Sequence, residues 1–167
     1  RFLRHMRGKE IDREPLYDEQ DVERTLPLRA KIEYNRPTPI AEGITITFFD
    51  AGHILGAASV QMIVDDGRRK VTIVFSGDVG QIGAPIVRDP VTPTPADVAL
   101  LESTYGDRDH RSREATCDEF LRILEQAQAT RSKVIIPAFA LGRAQDLLYH
   151  VGDFLRTGKL KPLEVYI

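Results

Sequence analysis

The chain has 167 residues, of which 42% are hydrophobic and 29% charged, and its formal net charge is -2. This composition is typical of a soluble protein with one domain or slightly more, and the charge argues against a protein that coats nucleic acid by basic excess alone. No apolar run approaches the ~20 residues of a bilayer-spanning helix. The single cysteine, Cys117, excludes an internal disulfide, so we expect a reducing compartment, the cytoplasm.

The first part of the chain predicts one short helix and a loop. Acidic residues cluster at the start of residues 18–30, where Asp18 can cap a helix and Pro27 would end or kink it. Pro37 and Pro39 then indicate a loop. The chain begins with Arg1 rather than Met, and we therefore expect that it starts inside a longer protein.

From Ile44 the sequence predicts β-strands. Apolar and polar residues alternate over residues 44–49, and two further β-rich runs cover residues 60–65 and 70–75. Asp66-Gly67 lies between these two runs and is typical of a hairpin turn. After a proline-rich loop, residues 97–102 form a short apolar strand.

The last third of the chain predicts alternating helices and strands. The predicted elements are a helix over 112–130, a strand over 133–136, a helix over 142–156 ending near Gly158, and a strand over 163–167. The complete pattern is antiparallel strands followed by β-α-β-α-β alternation. It predicts an α/β protein with a domain boundary near residues 106–112.

Three strands are each followed by one side chain that could bind a metal or move a proton. His53 offers an imidazole, Asp78 a carboxylate that can bridge two metal ions, and Glu102 a carboxylate that can orient a ligand or shuttle a proton. Taken singly, each also fits a structural loop or turn residue. Their shared position after strands favours one common site.

A second group of residues suggests phosphate binding. Gly142 and Arg143 open the third predicted helix, and a helix N-terminus with an arginine suits a phosphate, although taken alone Arg143 fits a solvated surface arginine better. Ser103 adds a hydroxyl beside Glu102, and we assign these three residues to substrate binding. A basic run, formed by Arg108, His110, Arg111 and Arg113, could contact a phosphate backbone or simply be a solvated loop.

Four segments together resemble the β-CASP branch of the metallo-β-lactamase fold. They are Phe49-Asp50-Ala51-Gly52-His53-Ile54-Leu55-Gly56, Phe75-Ser76-Gly77-Asp78-Val79-Gly80, Leu101-Glu102-Ser103-Thr104-Tyr105-Gly106-Asp107-Arg108 and Ile136-Pro137-Ala138-Phe139-Ala140-Leu141-Gly142-Arg143-Ala144-Gln145. They stand in the order that the family shows. The resemblance is good over residues 44–167 and weak over 1–43.

The resemblance implies a zinc-dependent ribonuclease with two zinc ions. The residue matching His53 binds one zinc, the residue matching Asp78 bridges both, and the acid matching Glu102 lies behind the ligands and helps to protonate the leaving group. A hydroxide between the metals attacks the phosphodiester. The implied domains are the C-terminal part of a metallo-β-lactamase αββα sandwich over 1–108 and the start of a β-CASP α/β domain over 109–167. The implied partners are RNA and a second copy in a homodimer.

One departure from the family limits the function expected of the chain itself. The family's His-x-His-x-Asp-His motif does not occur in this sequence, and neither do the later β-CASP histidines. We therefore expect a fragment that binds zinc weakly and cleaves nothing alone. Two alternatives stay open, a non-catalytic scaffold subunit of an RNA-processing complex and a hydrolase of the same fold with another substrate. The retained His53, Asp78 and Glu102 favour the enzyme.

Overall fold

Residues 15–93 and 95–167 are described by the computed structural model, and the chain divides into two compact units, the first ending at Ile32 and the second starting at Glu33. In the first unit, helix α1 (Glu19–Thr25) begins at Asp18, whose carboxylate accepts a hydrogen bond from the Asp21 N–H at 3.0 Å. The predicted start of the helix at Asp18 is confirmed, but the α-helix ends at Thr25 and not at residue 30. The proline of the 3-10 turn Leu26–Leu28 cannot donate to the α-helical ladder.

The second unit is built around a sheet of five strands in the order β1-β2-β3-β4-β5. The strands are β1 (Thr38–Ala41), β2 (Ile44–Asp50), β3 (Ala58–Asp65), β4 (Lys70–Phe75) and β5 (Val98–Leu100). Strands β1 to β4 pair with one another in antiparallel succession, and β5 runs parallel to β4. The four strands predicted between residues 44 and 102 are confirmed with boundary shifts of up to two residues, and so is the hairpin between β3 and β4.

Strand β1 corrects the predicted loop around Pro37 and Pro39. Pro39 pairs with Thr45 of β2 although proline cannot donate to a ladder. Because β1 is the first strand of the sheet, its outer edge faces no partner in the described sheet. Proline is tolerated at such an edge, and the sequence pattern had hidden a strand there.

Two helices form a small core of their own. Helix α2 (Arg113–Thr130) is capped by Ser112, and α3 (Arg143–Arg156) starts after Gly142. Both predicted helices are confirmed, and Gly158 adopts a φ of 70° just after α3, as a helix-ending glycine does. Their core consists of Leu124, Val151, Phe154 and Leu160. None of the helices in the described parts of the chain combines the length and apolarity that a bilayer crossing requires.

The predicted strands over 133–136 and 163–167 do not form, which corrects the expected β-α-β-α-β pattern. Their apolar side chains are largely exposed, with Ile135 88% and Ile167 94% accessible. A strand is stable only with a hydrogen-bonded neighbour. Within residues 15–93 and 95–167, neither segment has one.

Replacement of Phe154 by alanine tests the helical core. Phe154 is 5% exposed and lies 6.0 Å from the ring of Phe120. We expect Phe154→Ala to lower the free energy of unfolding by about 3–5 kcal/mol because it leaves a cavity. Leu155→Ala is the control on the same helix, and since Leu155 is 36% exposed we expect a loss below about 1 kcal/mol. Equal losses in urea denaturation would contradict this core.

Candidate functional site

The candidate site lies at the end of the sheet where the C-terminal ends of β2, β4 and β5 meet, and this end is called the site edge below. Since β2 and β4 are both antiparallel to β3, they point the same way, and β5 is parallel to β4. His53, Asp78 and Glu102 therefore all leave the sheet at the site edge. The structure thus places the three predicted side chains together.

A crossing of two loops brings His53 towards Asp78. Strand β3 lies between β2 and β4, which would hold the two strand ends about 9–10 Å apart. The loop after β4 closes this gap, and its Gly80 N–H donates a hydrogen bond to the buried Ala51 carbonyl at 2.8 Å. A β-carbon on Gly80 would overlap the carbonyl oxygen of Gly52. The crossing therefore requires glycine at position 80.

The loop that carries His53 is also held from its other side. A β-carbon on Gly52 would lie 2.7 Å from the Arg88 carbonyl oxygen, and the φ of Gly52 is 64°. The Asp50 side chain accepts a hydrogen bond from the Gly52 N–H at 3.0 Å, and the Asp50 carbonyl accepts one from the Val91 N–H at 2.8 Å. The backbone beside His53 is thus packed between two other segments.

His53 and Asp78 form a pair suited to one metal ion. The His53 Nε2 and Asp78 Oδ2 atoms are 3.9 Å apart, and both side chains are substantially exposed. Zinc lies about 2.0–2.2 Å from such atoms, and its tetrahedral angle places two ligand atoms of one ion about 3.4 Å apart. The separation of 3.9 Å is slightly wider, so a small movement of either exposed side chain would let the two atoms share a zinc ion. Among the residues that the structure describes, no group of three or more His, Cys, Asp or Glu side chains could hold a metal.

Glu102 is tied to the backbone next to Asp78. Its Oε1 accepts a hydrogen bond from the Val79 N–H at 2.9 Å. That bond, together with one from Thr104, holds the pKa of Glu102 below its usual value, although the side chain is fully exposed. An ionised Glu102 is suited to orienting the loop of Asp78. It is a poor proton donor near neutral pH in this state.

Ser76 connects β4 to the start of the Glu102 segment. Its buried hydroxyl accepts from the Glu102 N–H at 2.9 Å and donates to the Gly77 carbonyl at 2.7 Å. The Ser59 hydroxyl donates to the Ser76 carbonyl at 2.7 Å. Sequence analysis missed this role and that of Gly80, although both residues stand in the quoted segment around Asp78. What makes them important is contact with distant residues.

The predicted substrate-binding residues lie in two places at the site edge. Ser103 and Glu102 line an open cleft of about 430 Å³. Gly142 lies against the His53 loop, since a β-carbon on it would be 2.7 Å from the Ile54 Cγ2 atom. Arg143 follows it as an exposed first residue of α3. The N-terminus of α3 thus lies against the residue that follows His53.

Comparisons with known proteins identify relatives that match most of the chain. The relatives include ribonuclease TTHA0252 of Thermus thermophilus (40% identity over 81% of this chain and 30% of the relative) and an RNase J-like protein of Methanocaldococcus jannaschii (31%, over 90% and 35%). Another is cleavage and polyadenylation specificity factor subunit 3 of Dictyostelium discoideum (33%, over 86% and 18%). The chain thus spans about a third or less of these relatives' length. No protein-family profile matches it.

Replacement of Gly80 by alanine tests the loop crossing. The added methyl group would meet the Gly52 carbonyl oxygen, so we expect the free energy of unfolding to fall by about 1–3 kcal/mol. The NMR signals of the His53 ring should shift as well, because the two loops must separate. Gly152→Ala is the matched control: nothing lies near its β-carbon position inside α3, and alanine should stabilise that helix by about 0.5–1 kcal/mol. An unchanged His53 spectrum in Gly80→Ala would refute the crossing.

Proposed function

We propose that this chain, whose homologues are β-CASP ribonucleases of the metallo-β-lactamase fold, is part of an enzyme that hydrolyses RNA phosphodiester bonds in RNA processing or decay. The observation that carries the proposal is the 3.9 Å approach of His53 Nε2 to Asp78 Oδ2 at the site edge. A hydrolase needs such convergent ligands at a solvent-open edge. A scaffold protein has no need of them.

Zinc is the metal that best suits this pair. An imidazole nitrogen and a carboxylate oxygen are both common zinc ligands. When bound, zinc would polarise the phosphodiester and supply a nucleophile at neutral pH. His53 and Asp78 would each donate one ligand atom, and Asp78 has a second oxygen with which to reach a second ion. Two ligands do not complete a catalytic site, and residues 15–93 and 95–167 offer no group of three or more, so the proposal needs further ligands from outside these residues.

Glu102 orients the metal-binding loop in this proposal. Its carboxylate accepts a hydrogen bond from the Val79 N–H at 2.9 Å. This bond restricts the position of the backbone just after Asp78. Outer groups of this kind position metal ligands. If Glu102 also protonates the leaving group, as the family resemblance implies, its pKa must first rise, which binding of an anionic phosphate beside it would favour.

Gly142, Arg143 and Ser103 bind the substrate in this proposal. The N-terminus of α3 carries partial positive charge and lies against the His53 loop, so a phosphate there would be close to the metal pair. The Arg143 guanidinium can bind two phosphate oxygens at once. The Ser103 hydroxyl can donate to another from the cleft.

Replacement of Asp78 in the complete protein tests the proposed function. Loss of groups that merely orient a metal ligand costs about 10–100-fold in activity, and we expect Asp78→Ala to cost more than this. The measurement is the rate of RNA cleavage at saturating zinc. Asp118→Ala is the control, since Asp118 is an exposed residue of α2. Cleavage at the wild-type rate by Asp78→Ala would refute the metal role of Asp78.

Zinc binding by this chain alone gives a second test. Two ligands cannot enclose a di-zinc centre, so we expect weak, substoichiometric zinc binding and no RNA cleavage. Isothermal titration calorimetry and a labelled RNA substrate measure the two quantities. Tight binding of two zinc ions together with turnover would show that the 167 residues contain a complete site, against this proposal.

Two finer expectations belong to the same proposal. The free Cys117 fits a reducing compartment and therefore a cytoplasmic protein, and fractionation of cells would contradict this by recovering the protein elsewhere. The family resemblance implies a homodimer. A monomer mass at all micromolar concentrations in sedimentation equilibrium would exclude it.

A further inference from the structure

The turn that follows Glu102 presents an aromatic ring beside the cleft. We propose that Tyr105, with Arg108 and His110, forms a stacking site for one unpaired nucleobase of the RNA substrate. These three residues are called the Tyr105 cluster below. The inference rests on the proposed function, because it assigns a substrate contact to the same cleft. It adds base recognition to a site described so far by metal and phosphate ligands.

The backbone around Tyr105 is a compact turn. The Gly106 N–H donates to the Ser103 carbonyl at 3.0 Å, and the Arg108 N–H donates to the Tyr105 carbonyl at 3.4 Å. A β-carbon on Gly106 would lie 3.3 Å from the Ser103 carbonyl oxygen. The turn starts directly after Glu102, whose N–H is bound to the buried Ser76 hydroxyl. Tyr105 is therefore held at a defined place relative to the end of the sheet.

The side chains of the Tyr105 cluster contact one another through their ring faces and the planar guanidinium group. Proteins bind unpaired nucleobases through contacts of the same kind. The ring centroids of Tyr105 and His110 are 4.1 Å apart at an angle of 52°. The Arg108 guanidinium carbon lies 5.2 Å from the Tyr105 centroid. Tyr105 nevertheless stays 51% exposed. Exposed aromatic rings beside an arginine are the usual platforms for unpaired bases.

The cleft connects the cluster to the metal-site loop. Tyr105 and His110 line it together with Glu102 and Val79, the residue next to Asp78. A base on Tyr105 would thus belong to a nucleotide close to the scissile phosphate. The distance of this base from His53 and Asp78 would be set by the short segment from Glu102 to Tyr105, which hydrogen bonds hold in place.

The local charge favours stacking over phosphate attraction. Residues 107–113 contain three arginines and two aspartates. Arg108 lies 3.9 Å from the Asp107 carboxylate, and Arg111 pairs with Glu119. Little positive charge is left for a phosphate backbone. The basic run recognised in the sequence therefore acts chiefly through its aromatic and planar groups.

Binding of short single-stranded RNA to this chain tests the inference. The oligonucleotide carries a fluorescent label, its anisotropy is measured in EDTA, and a second oligonucleotide of equal length and charge has abasic residues. We expect Tyr105→Leu to weaken binding of the normal oligonucleotide about fivefold to a hundredfold, the range given by stacking of one base. It should not change binding of the abasic one. Tyr105→Phe keeps the ring and should bind within about twofold of wild type.

Tyr166→Leu is the matched control, since Tyr166 is 86% exposed elsewhere in the chain, and it should bind like wild type. Circular dichroism establishes that each variant is folded. The inference is overturned if Tyr105→Leu binds within twofold of wild type, if it weakens both oligonucleotides equally, or if wild type shows no preference for the normal oligonucleotide at millimolar concentration.

The experiment separates this inference from the proposed function. Metal-dependent RNA cleavage by the complete protein with no effect of Tyr105→Leu on binding would leave the function standing and remove the stacking site. Base-dependent binding through Tyr105 in a complete protein that cleaves no RNA would do the reverse. Tyr105→Leu that weakens binding in a cleaving protein supports both.

Discussion

The close approach of the loop after β4 to the loop after β2 is the contact on which the candidate site depends. Gly80 donates to the Ala51 carbonyl at 2.8 Å, and no side chain fits between Gly80 and Gly52. Without this contact, β3 would keep the two strand ends about two strand spacings apart. His53 and Asp78 therefore lie close together because two glycines allow two backbones to touch.

Glu102 extends the same arrangement to a third strand. Its carboxylate accepts a hydrogen bond from the Val79 N–H, and its own backbone N–H donates one to the Ser76 hydroxyl. The side chain and the backbone of Glu102 thus both link the end of β5 to the segment that follows β4. The two acidic residues, Asp78 and Glu102, therefore differ in their contacts. The Asp78 carboxylate is exposed and lies beside His53, whereas the Glu102 carboxylate is bound to the backbone N–H of the residue after Asp78. The turn after Glu102 then places Tyr105 beside the same cleft.

Helices α2 and α3 form a core of their own beside the sheet residues of the candidate site. Helices α2 and α3 pack through Leu124, Val151 and Phe154, while the apolar segments over 133–136 and 163–167 remain without a strand partner in the described chain. The N-terminus of α3 contacts the His53 loop, through Gly142 and Ile54. The predicted division into domains at residues 108 and 109 stays a prediction.

The sequence by itself determined the elements with strong local signals and the family. Alternation predicted β2, and two β-rich runs around an Asp-Gly turn predicted β3 and β4. An apolar face predicted α2, and Gly158 predicted the end of α3. The segments around His53, Asp78 and Glu102 predicted a common site and homologous ribonucleases. Tertiary structure decided whatever depends on partners distant in the chain. Pro39 joins a strand because that strand is at an edge, and the apolar residues 133–136 form none because a ladder needs a neighbour. The 3.9 Å approach of His53 to Asp78 and the lowered pKa of Glu102 also arise from contacts between segments, which no local pattern contains.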